Sequence, residues 1–140
     1  MITKRVIIDT GPLVAFLNPR DHYHEWTKLQ TAHIEPPLFT CEAVLAEACF
    51  LLKRFDCCFA LFEQIERGLL KIPFKVGDEV SEVSQLIKRY QQIPMSFADA
   101  CLVRMSEILS NSTLFTLDSD FHFYRKSGRK VIPLISPHAS

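Results

Sequence analysis

Apolar residues along this chain fall into short unbroken runs, separated by longer stretches in which they recur every three or four positions. The first run, Val6-Ile7-Ile8, is β-branched and continuous, which predicts a strand over Arg5–Asp9 covered on both faces. Thr10, Gly11 and Pro12 then supply a turn, with Pro12 suited to the first position of a short helix running through Leu13–Leu17. Asp21 is a good N-cap for a second helix through Trp26 and Leu29 to about His33, stopped by Pro36 and Pro37.

Leu38–Thr40 reads as a second strand, and a long apolar-rich helix follows from about Glu42 to Arg54. A further helix covers about Cys57–Gly68, with the glycine as its C-terminal cap. Leu70–Val76 reads as a third strand, confined to a sheet edge because Pro73 has no N–H for the ladder. Asp78 opens a helix whose Val80, Val83, Leu86, Ile87 and Tyr90 make one apolar face. Beyond Pro94, Ser96 caps a helix to about Leu109, and Thr113–Leu117 and Val131–Ile135 read as the fourth and fifth strands.

Strands alternating with helices predict an α/β fold with right-handed crossovers: a three-layer α/β/α sandwich around a central, mainly parallel five-stranded sheet. The 140 residues suit one domain over the whole chain, and no repeat or linker interrupts them. A 48% hydrophobic content implies a packed core. Sixteen basic residues cancel sixteen acidic ones, so a role with nucleic acid has to come from local sites instead of overall charge. Five cysteines without a C-x-x-C pair suggest reduced, mostly buried thiols and no zinc site. No apolar stretch reaches the roughly 18 residues of a membrane span, so a cytoplasmic protein is expected.

In such a sheet, ligands bind beyond the carboxyl ends of the strands. Four acidic residues are placed to converge there. Asp9 ends the first strand, where it is either a ligand or a turn aspartate bonding the backbone near Gly11. Glu47 shares a helical face with Ala43, Val44, Phe50 and Leu51, and a carboxylate on a core-facing stripe has to be protonated, paired or bound to a cation. Asp99 lies three positions after Ser96 and is either a capping-box partner or the one charge of an otherwise apolar segment, Phe97–Val103. In Thr116-Leu-Asp-Ser-Asp-Phe121, Asp118 is the better ligand candidate and Asp120 the better helix cap.

Taken together, Val6-Ile-Ile-Asp-Thr-Gly-Pro-Leu-Val-Ala15, the Glu47 helix, Ser96-Phe-Ala-Asp-Ala-Cys-Leu-Val103 and Thr116–Phe121 resemble the PIN-domain family, in particular the VapC-like toxin ribonucleases. The resemblance spans nearly the whole chain. It implies a parallel sheet and a Mg²⁺- or Mn²⁺-dependent nuclease site with Asp9, Glu47, Asp99 and Asp118 at the family's acidic positions. It also implies Asp120 as a supplementary ligand, and Thr10 and Thr116 as supporting hydroxyls. The neutral net charge departs from what tight RNA binding would favour.

Clustered carboxylates need divalent cations or protons to relieve their repulsion, and all-oxygen ligands suit Mg²⁺ or Mn²⁺. With the RNA substrate that the resemblance implies, the expected reaction is hydrolysis of phosphodiester bonds by activated water. Arg125, Lys126, Arg129 and Lys130 are candidates for touching RNA phosphates, against a reading as a solvated loop. Phe55, Phe59 and Phe62 share one side of a helix, either as core or as a partly exposed face for a homodimer or an antitoxin peptide. Two rival readings stand beside this one. A non-catalytic PIN-like module would bind RNA or protein without cutting, and an aspartic protease would use Asp9-Thr-Gly11 within an all-β fold.

Overall fold

The structure, a computed structural model, describes residues 4–53 and 57–138. Five strands, β1 (Arg5–Ile8), β2 (Leu38–Phe39), β3 (Leu70–Lys71), β4 (Ser112–Phe115) and β7 (Leu134–Ile135), form one sheet in the order β3-β2-β1-β4-β7. Every neighbouring pair is parallel, so each connection is a crossover and helices cover both faces. The expected α/β/α architecture is therefore present. An aspartic protease, which needs an all-β fold, does not fit it.

The strand β1 lies at the centre, in register with Ser112–Phe115 on one side and Phe39 on the other. Val6, Ile7 and Ile8 are all buried, as an unbroken apolar run requires of a strand covered twice. With Ala48, Leu52, Leu61, Ala100, Leu102, Val103, Leu114 and Phe115 they form the continuous core.

Several boundaries differ from expectation for local reasons. Helix α1 (Thr10–Leu17) begins two residues before Pro12, because the first-turn N–H groups have no partner within the helix and proline sacrifices nothing there. Asp21 does not cap α2 (His24–Thr31); its carboxylate accepts from the Tyr23 N–H at 2.9 Å and makes a turn that delays the helix. The third strand stops at Lys71, before Pro73, and the fifth is split. Val131 pairs instead with Arg125 in a two-residue antiparallel hairpin of β5 (Arg125–Lys126) and β6 (Lys130–Val131).

Helix α3 (Glu42–Leu52) starts where expected; its anticipated end at Arg54, and Phe55, lie outside the described residues. Helix α4 (Cys58–Glu66) closes in a Schellman motif, with Gly68 at φ 74° and the Leu69 N–H reaching the Gln64 carbonyl. Helix α5 (Val80–Arg89) begins after a 3-10 turn over Val76–Asp78, and α6 (Phe97–Ile108) is capped by Ser96 as anticipated. Among the described residues no helix is long and apolar enough to cross a membrane.

Candidate active site

Parallel strands send all their carboxyl ends to one side of the sheet, and there Asp9, Thr10, Gly11, Glu47, Ser96, Asp99, Leu117 and Asp118 line an open crevice of about 420 Å³. The four acidic residues singled out in the sequence thus meet in one place, drawn from segments up to 109 positions apart (118 − 9).

Asp9 follows directly on β1 and is buried. It acts as the N-cap of α1: one oxygen accepts from the Thr10 N–H at 2.6 Å, and the other from the Thr116 hydroxyl at 2.8 Å. Thr116 in turn accepts from the Asp118 N–H at 3.0 Å. The hydroxyl of Thr10 donates to Glu47 at 2.9 Å. Both threonines therefore join pairs of acidic residues instead of merely flanking them.

Asp99 completes a capping box, accepting from the Ser96 N–H at 3.2 Å while its own N–H donates to the Ser96 hydroxyl at 3.0 Å. The structural and functional readings of Asp99 are not alternatives here, since a capping carboxylate also lines the crevice. Asp118, not Asp120, caps the following 3-10 turn, accepting from the Asp120 N–H at 2.9 Å. Asp120 does not line the crevice; it sits within that turn, its charge felt at Tyr124.

Glu47 corrects one expectation. The buried stripe of α3 is Val44, Ala48 and Leu52, and Glu47 lies beside it at the exposed rim of the crevice. Phe50 and Leu51, placed with it on the core-facing stripe from spacing alone, are also exposed. The apolar residues of α3 run almost all round it, so periodicity leaves the phase of the buried face undetermined.

Burial pushes the Asp9 carboxyl up to about 6; repulsion from Asp99 and Asp118 adds to this, and the Thr116 and Thr10 hydrogen bonds oppose it. Burial likewise raises Asp99, with Asp118 and Glu47 contributing repulsion against the Ser96 bonds. Among the described residues the ion pairs are those of Arg104 with Glu79 and Glu107, so no basic side chain relieves the crevice.

Among the described residues no three His, Cys, Asp or Glu side chains already stand close enough to grip a metal ion. The donor set nonetheless fits a hard divalent cation. It is all oxygen, it is mutually repulsive, and it opens to solvent on one side, leaving room for the waters that Mg²⁺ retains.

Tyr124 was not singled out from the sequence. Its buried ring packs on Tyr90 and Phe121, and its hydroxyl points to Asp99 Oδ2 at 3.5 Å and the Pro94 carbonyl at 3.4 Å. An aromatic in a basic, aromatic-rich stretch carries no mark of that role. The candidate RNA-binding residues follow it. Arg125 gives its guanidinium to the His122 and Tyr124 carbonyls at 2.7 and 3.1 Å, so it braces the turn. The hairpin tip docks on α5 and α6, through Arg89 to the Gly128 carbonyl and the Ser127 N–H to Glu107. Glu107 stands two turns beyond Asp99, roughly 12 Å at about 1.5 Å per residue, and Lys126, Arg129 and Lys130 do not line the crevice.

A parallel α/β sheet with four acidic side chains gathered at its carboxyl edge, where such sheets bind their ligands, defines a class of domain. Comparison narrows the class: a family described as PIN domain matches residues 6–127, and the chain belongs to that family. No curated protein matches. In fold the chain is similar to Mycobacterium tuberculosis VapC20, described as a toxin that cleaves the sarcin-ricin loop. The TM-score is 0.74 at 21% sequence identity, over 91% of this chain and 98% of that one.

Proposed function

We propose that this protein is a Mg²⁺- or Mn²⁺-dependent endoribonuclease that hydrolyses RNA phosphodiester bonds at the acidic crevice, and that it acts as the toxin of a toxin–antitoxin pair in the cytoplasm. The observation that carries this reading is the meeting of Asp9, Glu47, Asp99 and Asp118 in one crevice without a Lys or Arg ion pair among the described residues. Membership of the PIN family, and a fold shared with a toxin described as cleaving the sarcin-ricin loop, support it.

A bound Mg²⁺ or Mn²⁺ supplies Lewis-acid stabilisation of the scissile phosphate and lowers the pKa of a water. The chain's own residues prepare for this. Asp9, Asp99 and Asp118 would hold the cation as carboxylates fixed by their helix-capping bonds, with Glu47 at the rim. Thr10 and Thr116 would keep Glu47 and Asp9 in orientation, because each hydroxyl spends its hydrogen on a carboxylate. Lys126, Arg129 and Lys130 would meet phosphates of flanking nucleotides, not the scissile one.

An antitoxin segment would have an apolar cavity of about 280 Å³ available between α1, α2 and α4, lined by residues including Leu13, Phe16, Leu17, Ile34 and Leu61. The exposed Phe50, Phe59 and Phe62 offer a surface for a second copy. The test is cleavage of structured and single-stranded RNA with Mn²⁺ by wild type, Asp9→Asn and Asp99→Asn. Both variants should fold and lose cleavage by about a hundredfold or more, since even outer-layer partners of a metal are worth about 10–100-fold. Unchanged cleavage by both would remove the assignment, and a divalent-ion site without cleavage would favour a non-catalytic binding module.

A further inference from the structure

We propose that His138 is a positioning residue that pins the Leu117–Asp118 peptide and so aims the Asp118 carboxylate into the crevice. This rests on the crevice being the cation site proposed above. The strand β7 runs parallel to β4, so the chain leaving Ile135 emerges at the same edge of the sheet as Asp118. Ser136 turns it, its hydroxyl accepting from the His138 N–H at 3.1 Å, and the imidazole Nε2 comes to 2.7 Å from the Leu117 carbonyl. A carbonyl only accepts, so Nε2 carries the hydrogen.

The same peptide unit is held from its other end. Its N–H, which belongs to Asp118, donates to the Thr116 hydroxyl that also bonds Asp9. One peptide plane is therefore fixed by two hydrogen bonds, one from β4's own exit and one from a residue 21 positions on. On the inner side it cannot swing toward α1. A Cβ placed at Gly11 would lie 3.1 Å from Leu117 Cβ, so the side chain already fills the space that only glycine leaves open.

The ring itself is fixed against Tyr23, edge-on with centroids 6.3 Å apart. Tyr23 stands against Trp26, and Trp26 against Phe115 on β4. The imidazole thus has a packed support and one directed bond, the arrangement by which outer residues orient a metal ligand. The Asp118 carboxylate is engaged with the turn that follows it, its Oδ1 accepting from the Asp120 N–H at 2.9 Å.

The experiment measures Mn²⁺ affinity by calorimetry, with RNA cleavage and a thermal melt alongside, for wild type, His138→Ala, His138→Gln, His138→Asn and Asp9→Asn. His138→Ala should weaken Mn²⁺ binding about tenfold. His138→Gln, whose amide nitrogen can reach where Nε2 stands, should return it to within about threefold of wild type. His138→Asn, a bond shorter, should behave like alanine and gives the same contrast if the alanine variant does not fold. Wild-type affinity in His138→Ala or His138→Asn, with binding abolished in Asp9→Asn, overturns the role of His138 and leaves the cation site standing. Equal loss in Gln and Asn overturns it too, because packing and not the bond would then matter. Mn²⁺ binding unaffected by Asp9→Asn would instead remove the cation site itself, and the role of His138 with it.

Discussion

Two clusters of carboxylates in this molecule are built in opposite ways. Between α5 and α6, Glu79 and Glu107 share one guanidinium, that of Arg104, at 2.6 and 3.1 Å. At the carboxyl edge of the sheet, Asp9, Glu47, Asp99 and Asp118 share a crevice and no cation from the chain among the described residues. The first cluster is settled by folding. The second is held in place by neutral donors, namely threonine hydroxyls and backbone N–H groups, which orient negative charge without cancelling it. A chain of zero net charge can therefore carry a strongly polarised site, because balance over the whole surface says nothing about balance within one crevice.

The contrast breaks most visibly through stability. Burial raises Asp9 to about 6 from 3.8, so the folded protein favours the protonated acid: the stability this lends is complete below about 4 and is lost as pH rises through about 6. Asp9→Asn should accordingly stabilise the metal-free protein at pH 7.5 by up to about 3 kcal/mol, and flatten the dependence of its melting temperature between pH 4 and 6. Calorimetric melts across that range check both. A variant less stable than wild type at pH 7.5 would mean that the hydrogen bonds to Asp9 outweigh its desolvation.

Saturation with Mn²⁺ should come next in size. At a free concentration a hundred times the dissociation constant it should add about 2.7 kcal/mol to wild type and nothing to Asp9→Asn, read from denaturant melts at neutral pH. Arg104→Ala should act in the opposite direction to Asp9→Asn, costing about 1–2 kcal/mol because two carboxylates lose their shared partner, with the loss shrinking in high salt. An Arg104 variant as stable as wild type would erase the difference between the clusters. The smallest effect belongs to the exposed apolar surface: Phe59→Ser should leave stability within about 0.5 kcal/mol, as expected of a ring 76% exposed.

The strand-and-helix alternation was legible because it is written in local signals. The run Val6–Ile8, the Ser96 cap and the Gly68 terminus each act within a few residues, and each appears where those signals point. Elements of marginal length were not. Val131 joins a hairpin and β7 keeps two residues, because such strands owe their existence to partners brought by the rest of the chain. Glu47 shows the same limit within one helix, where an apolar surface nearly all round left the buried face ambiguous.

By itself the sequence determined the parallel α/β architecture and the four acidic residues, since strand ends and chain order place Asp9, Asp99 and Asp118 toward one edge. Only the tertiary structure decided how those carboxylates are held: that Asp118 and not Asp120 caps its turn, that Tyr124 and His138 stand behind the site, and that Arg125 is consumed by its own loop. The physical reason is range. Propensity and periodicity act over a turn or two of chain, whereas hydrogen bonds and desolvation depend on which distant groups arrive at the same few ångströms.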